Sequence, residues 1–254
     1  MSYEQFAYLY DELMKDAPYD EWVSFVKEQL VNYNVTGVRL LDLACGTGEL
    51  SIRFANEGFQ VTGVDLSSDM LAVAQAKAET KGIHIPLFEQ NMIDLEGQGQ
   101  FDVIGIFCDS LNYLQTEEDV KETFSSVFQH LTLDGLFMFD VHSTYKISHG
   151  FIDQTFAVND EGLSYIWNSF SGEKEYSVEH DISFFVLDEL SGKYDRYDEI
   201  HYQRTYPIEQ YSDWLNEAGF ELLKVCADFE PKSPEPQSER IFFVARKKIK
   251  NEAD

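Results

Sequence analysis

Leu40-Leu41-Asp42-Leu43-Ala44-Cys45-Gly46-Thr47-Gly48, with Val61-Thr62-Gly63-Val64-Asp65-Leu66 following after one helix length, governs the reading of the whole chain. An apolar strand ends at a turn of small residues, a helix follows, and a second strand ends on a carboxylate. That is half of a nucleotide-binding α/β unit. The glycines let a ligand lie against bare backbone, where a Cβ would collide or forbid positive φ. A carboxylate at the end of the second strand can accept hydrogen bonds from both hydroxyls of a ribose, so the unit reads as a nucleoside site.

Which nucleoside it takes follows from what the motif lacks. A dinucleotide fingerprint has a third glycine where this chain has Ser51. Glu49 stands at the helix N-terminus, where it would repel a pyrophosphate. No Gly-Lys-Ser/Thr follows the turn, which removes the P-loop reading. A ligand with a ribose and no phosphate fits, and S-adenosylmethionine (SAM) is the common one.

At this point the sequence resembles the class I SAM-dependent methyltransferases, whose first motif is an acidic residue, three residues and Gly-x-Gly. Asp42, Gly46 and Gly48 match it position by position. The resemblance implies that Ala44, Cys45 and Gly46 hold the methionine end of SAM, with Gly48 completing the turn. It also implies that Asp65 takes the ribose and that Leu66 and Met70 flank the adenine. Where the family places an aspartate this chain has Asn91, whose side-chain oxygen can accept from the adenine amino group, and the Met92 N–H would face the ring.

Composition bounds the rest. The 254 residues suffice for one large α/β domain with an insertion. No long apolar stretch and no leader pattern occur, so a cytoplasmic chain without membrane contact is expected. Three cysteines (Cys45, Cys108 and Cys226) lack C-x-x-C spacing, and no His/Cys/Asp cluster has ligand spacing. Neither disulfides nor a metal is expected. A net charge of −27, from 46 acids against 19 bases, disfavours nucleic acid. Arg240, Arg246, Lys247, Lys248 and Lys250 cluster near the C-terminus and keep an RNA-modifying enzyme as an alternative.

Periodicity along the chain predicts two N-terminal helices broken at Pro18. Strand 39–44, helix 48–57, strand 60–65, helix 68–80, strand 84–88, strand 101–108, helix 117–131 and strand 136–141 follow. The alternation then stops. Ser171-Gly172 and Ser191-Gly192 mark hairpins in an aromatic-rich stretch, read as three antiparallel strands at 163–170, 175–187 and 193–206. Helix 208–218, strand 220–227 and strand 240–247 resume the main sheet. The expectation is a doubly wound, seven-stranded Rossmann-like sheet with an antiparallel β insert after the fifth strand. Its parts are a helical segment (1–38), a SAM-binding domain (39–143 and 207–248) and the insert (144–206).

The order of elements again looks like the class I fold. Phe6-Ala7-Tyr8-Leu9-Tyr10-Asp11-Glu12-Leu13-Met14 with Tyr19 and Trp22, and His201-Tyr202-Gln203-Arg204-Thr205-Tyr206, are similar to YqeM-like bacterial methyltransferases. That similarity implies a cofactor contact from Tyr10. Cys108, at the end of the fourth strand, would touch the cofactor through its backbone, and Asn/Asp-Pro-Pro-Tyr/Phe, the signature of base amino methylation, is absent there. His142 is the candidate general base, and His201, Arg204 and Tyr145 are expected to converge with it on the acceptor. His180, in an apolar stripe, reads as core. The expected partner is a small-molecule acceptor, with a homodimer through the insert as a further expectation. The alternative from another class is a SAM-binding adaptor or sensor without catalysis.

Overall fold

The computed structural model describes residues 9–97 and 99–247. Phe6, Ala7, Tyr8, Lys248 and Lys250, named above, lie outside the described residues. Leu9–Leu13 form one helical stretch, and Pro18 stands at the N-cap of α1 (Tyr19–Asn32), where its missing N–H costs nothing. Then come β1 (Arg39–Leu43), α2 (Glu49–Asn56), β2 (Gln60–Asp65), α3 (Ser68–Thr80), β3 (Leu87–Glu89), β4 (Phe101–Ile106), α4 (Glu117–His130) and β5 (Leu131–His142). Side-chain caps start two of these helices: Ser67 accepts from the Met70 N–H (3.3 Å), and Thr116 from the Asp119 N–H (3.1 Å).

After β5 a π-helical turn, Lys146–Phe151, leads into β6 (Thr155–Val158), β7 (Leu163–Ser171), β8 (Ser177–Asp188) and β9 (Lys193–Arg204). The chain closes with α5 (Ile208–Glu217), β10 (Phe220–Ala227) and β11 (Arg240–Lys247). The main sheet runs β10-β11-β5-β4-β1-β2-β3, and β11 is antiparallel to both its neighbours. Order reverses between β1 and β4, and the crevice at the carboxyl ends there is where such sheets bind ligands.

Strand alternation covers the sheet on both sides. Leu41, Leu43, Ile104, Phe137, Phe139 and Phe243 pack against α4 and α5, and Phe139 stacks on Phe243 at 4.7 Å. Leu40, Val103, Leu136, Met138 and Phe242 pack against α1 and α2. Asp42 and Asp140 share this second parity and are buried at the carboxyl end of the sheet.

Several details differ from the sequence expectation, among them the start of β5, at Leu131 rather than 136. The insert is a four-stranded sheet, β6-β7-β8-β9, because the short Thr155–Val158 strand pairs with Tyr165–Asn168. The fourth main strand ends at Ile106 rather than 108, since Cys108 and Asp109 both take left-handed φ, 54° and 51°. The third is only Leu87–Glu89. The insert sheet turns Ile182 and Phe184 onto Leu9, with Tyr10, Leu13 and Met70 packed alongside, and so roofs the N-terminal segment.

Candidate functional site

The turn after β1 is built from left-handed backbone at Ala44 (57°), Gly46 (53°) and Gly48 (76°). A Cβ on Gly46 would meet no atom within 4 Å, so the loop leaves open space there. At Gly48 a Cβ would come within 2.9 Å of the Ala74 side chain, which requires glycine for close approach of α3. Asp65 holds the loop from the next strand: one oxygen accepts from the Gly46 N–H (2.7 Å), the other from the Ser67 N–H (2.9 Å). Burial pushes the Asp65 carboxyl up and these backbone bonds partly offset it. A carboxylate has about four lone-pair sites, so acceptor capacity remains for a ribose.

A cavity opens beside this loop, bounded by Tyr10, Tyr19, Asp42, Gly46, Cys108 and Ser110. Asp42 is buried and accepts from the Ser51 hydroxyl. Burial is the main reason its carboxyl is pushed up to about 7; the Ser51 bond works the other way. Ser51, standing where a dinucleotide site has its third glycine, therefore serves the acidic residue of the first motif. Glu49 is not a bare charge at the helix start. Lys77 (3.3 Å) and Arg53 (3.1 Å) hold it below the usual carboxylate range despite its burial.

Cys108 and Ser110 form the far wall, and the residue between them organises a second set of groups. Asp109 receives Arg240 (2.9 Å) and His142 Nε2 (3.3 Å), and the Gln203 amide donates to it at 2.8 Å. Burial alone would raise the Asp109 carboxyl; the His142 ring and the Arg240 guanidinium reverse that and hold it well below the usual range. Asp140 completes the cluster. It accepts from the Trp22 indole (2.8 Å) and from the N–H groups of Cys108 and Asp109 (3.0 Å each), and it pairs with Arg240. These bonds lock the left-handed Cys108–Asp109 step, a strained arrangement of the kind concentrated at functional sites. Asn112 accepts from the His142 N–H at 2.8 Å, and the Thr205 hydroxyl donates to the His142 carbonyl at 2.6 Å, so His142 is fixed in backbone and ring.

The insert sheet meets this cluster through Gln203 of β9, which bonds Asp109. His180 and His201 are register partners on β8 and β9. His180 Nδ1 accepts from Trp167 Nε1 (2.9 Å) and faces the Ser169 hydroxyl (2.8 Å), and burial pushes its pKa down to about 4, so the ring is neutral. Burial also lowers His201, which stands edge-on to Tyr113.

Of the residues expected at the acceptor, His142 sits in this cluster, joined through Asp109 to Gln203, and His201 lies on the same face of β9 as Gln203. Tyr145 and Arg204 do not join them. Tyr145 stacks on His149 and lines a separate groove with Tyr206 and Pro207. The Arg204 guanidinium bonds the carbonyls of Gln115 (3.2 Å) and Glu175 (3.3 Å) and lies over the Tyr206 ring. Strand register explains this: Arg204 alternates with Gln203 to the other face of β9. At the adenine side Met70 is half-buried and Leu66 is exposed. Asn91 uses its side-chain oxygen in a local turn to the Ile93 N–H (3.1 Å), keeping one lone pair, while Met92 packs against the core. Asp109, Gln203, Asp140 and Arg240 escaped the sequence reading. Their signal was the carboxylate directly after Cys108; Arg240 was counted only as part of a basic tail.

Comparison with known proteins agrees with this geometry. Residues 40–135 match the family model described as a methyltransferase domain. The chain is 55% identical to a protein of Geobacillus sp. (strain WCH70) over 97% of its length and 100% of that protein's. It is 52% identical to YqeM of Bacillus subtilis (strain 168), covering 97% and 98%. Both relatives carry the name methyltransferase. The crystal structure of a SAM-dependent methyltransferase from Clostridium acetobutylicum ATCC 824 superposes with a TM-score of 0.88 at 33% identity, covering 97% of this chain and 99% of that one.

Proposed function

Because this chain belongs to the SAM-dependent methyltransferases and, within them, to the YqeM-like proteins, we propose that it moves a methyl group onto an amine or hydroxyl of a small molecule, with His142 as general base. The observation that carries the reading is the continuity of Cys108-Asp109-Ser110. The outer two residues wall the cofactor cavity, and the middle one holds the His142 ring. A cofactor lying against that wall has His142 beyond it.

The residues present fit the cofactor. Gly46 leaves its Cβ position open, Asp65 keeps acceptor capacity, and Lys77, a cation that reaches the loop, is engaged by Asp11 and Glu49 rather than left for a phosphate. Tyr10, Asp42, Ala44, Cys45, Gly46, Gly48 and Cys108 would hold the methionine end and Asp65 the ribose. Leu66, Met70, Asn91 and Met92 would take the adenine. When bound, SAM supplies a methyl carbon activated by the sulfonium.

The protein's own part is placement, dehydration and one proton. Displacement at a methyl carbon needs the nucleophile in line and close. An amine or hydroxyl arrives protonated, and His142, with Nε2 directed at Asp109, can take that proton on Nδ1. Asp109 keeps the tautomer and stabilises the charged ring. The insert excludes water, and its neutral His180 and His201 present polar edges without adding positive charge against the sulfonium.

The charge of −27 and the internal engagement of the basic strand support a small acceptor over RNA. Arg240 is committed to the buried carboxylates, Arg246 to the Tyr33 carbonyl (2.9 Å) and Lys247 to the Leu131 carbonyl (3.0 Å). The test is SAM turnover with fractionated metabolites, reading S-adenosylhomocysteine and the methylated product by mass. With the acceptor in hand, His142→Gln is expected to lower kcat by about 10²–10⁴-fold. SAM binding should be kept and the acidic limb of the pH–rate profile lost. Wild-type turnover by that variant would remove His142 from the reaction.

A further inference from the structure

The N-terminal segment is tied to the glycine loop by charges that no motif accounts for. The Thr47 hydroxyl, inside the Gly46–Gly48 turn, donates to Asp11 Oδ1. Lys77, from the last turn of α3, bonds Asp11 Oδ2 (2.8 Å), Thr47 Oγ1 (3.2 Å) and Glu49 Oε2 (3.3 Å) at once. Asp11 and Lys77 are both largely shielded, with 29% and 23% of their side chains exposed, so the contact is less screened than a surface pair. Just before Asp11 the chain makes two other contacts. Tyr10 forms a wall of the cofactor cavity, and Leu9 is buried under Ile182 and Phe184 of the insert.

We infer that Asp11 and Lys77 are positioning residues for the cofactor: together they latch residues 9–13 across the mouth of its cavity, so that Tyr10 closes over the methionine end and the latch must open for SAM to enter and S-adenosylhomocysteine to leave. The same segment carries the insert, so the latch also joins cofactor retention to closure of the acceptor side. Lys77 is suited to the task because one flexible cation reaches three oxygens on three elements, and its removal would leave Asp11 and Glu49 as neighbouring carboxylates without a counter-charge. Its apolar contacts, from Leu9, Tyr10 and Leu13, are with the insert and with Met70, so the charge contact is a tie to the glycine loop whose loss loosens the segment there.

This inference rests on the cofactor placement of the proposed function and is independent of the acceptor and of His142. Labelled SAM loaded on the full chain and chased with unlabelled SAM gives the dissociation rate directly. Lys77→Met and Asp11→Asn are expected to release SAM about five- to tenfold faster, the scale of one partly shielded charge contact. Lys77→Arg, which keeps the charge, should stay near the wild type. In turnover, KM for SAM rises in the two latch variants with kcat maintained, the opposite split from His142→Gln. The wild type itself provides a test that needs no variant. Raising salt from about 0.05 to about 0.5 M, which shortens the screening length severalfold, should speed its SAM release and leave Asp11→Asn unaffected. Asp65→Ala serves as the control on placement. If it weakens SAM binding while the latch variants release SAM within twofold of the wild type and salt has no effect, the latch is overturned and the placement stands. If Asp65→Ala binds SAM like the wild type, placement and latch fall together.

Discussion

Asp42 is a carboxylate that the fold keeps out of water, and its titration gives a measurement on the free protein. Its pKa is pushed up to about 7 chiefly by burial, so the native state binds a proton that the unfolded chain releases near pH 4. That contribution is fully present below the unfolded value and is lost as pH rises through about 7. Asp42→Asn is therefore expected to gain stability over the wild type as pH goes from 4 to 8. The gain is on the order of 4 kcal/mol, read from urea midpoints without SAM. Arg240 gives the opposite lesson. It is the counter-charge of both Asp109 and Asp140, and Arg240→Met, which strands two buried carboxylates, should cost about 3–5 kcal/mol in the same experiment. Such residues separate what was legible from what was not. Gly46, Gly48 and Asp65 could be read because their chemistry is local: a backbone conformation, a strand end. Arg240 could not, because its partners, Asp109 in the turn after β4 and Asp140 on β5, become its neighbours only through the pairing of β11 with β5.

Among the elements, the insert shows where local pattern runs out. Its two long hairpins declared themselves through Ser171-Gly172 and Ser191-Gly192 and a period of two. β6 did not, since Thr155–Val158 is too short to show alternation and owes its strand form to the edge of β7. Nor was the role of His180 visible. It sits in the apolar stripe as expected, but its ring is the hub for Trp167 and Ser169. A histidine held neutral at a pKa of about 4 stabilises the fold above its unfolded value near 6.5, and that stability is lost as pH falls through about 4. Trp167 emission should report the insert loosening over that range, before the main sheet unfolds. His180→Gln, which does not titrate, should flatten the change; an unaltered acid transition in that variant would assign it to other groups.

Taken whole, the molecule concentrates a charge of −27 on a surface whose described C-terminal bases are turned inward. No retardation of tRNA is expected at micromolar protein and physiological salt in a gel-shift assay. A salt-dependent shift would return RNA to consideration. No described helix is long and apolar enough to cross a membrane. The layered sheet was readable because strand–helix alternation imposes parallel neighbours. The contact between the insert and residues 9–13 was not, since nothing in either stretch names the other. One consequence of the strand order concerns the chain as it leaves the ribosome. β5 is central in the finished sheet, yet its partner β11 is synthesised only after the whole insert, α5 and β10. At about 5–20 residues per second, the Leu136–His142 edge waits on the order of ten seconds with its hydrogen-bonding groups unmet. Phe137, Met138 and Phe139 lie along that edge, so the nascent chain carries a temporary aggregation hazard that the mature protein conceals. Chaperone dependence during synthesis, disappearing once residue 247 has emerged, is what that order of strands entails.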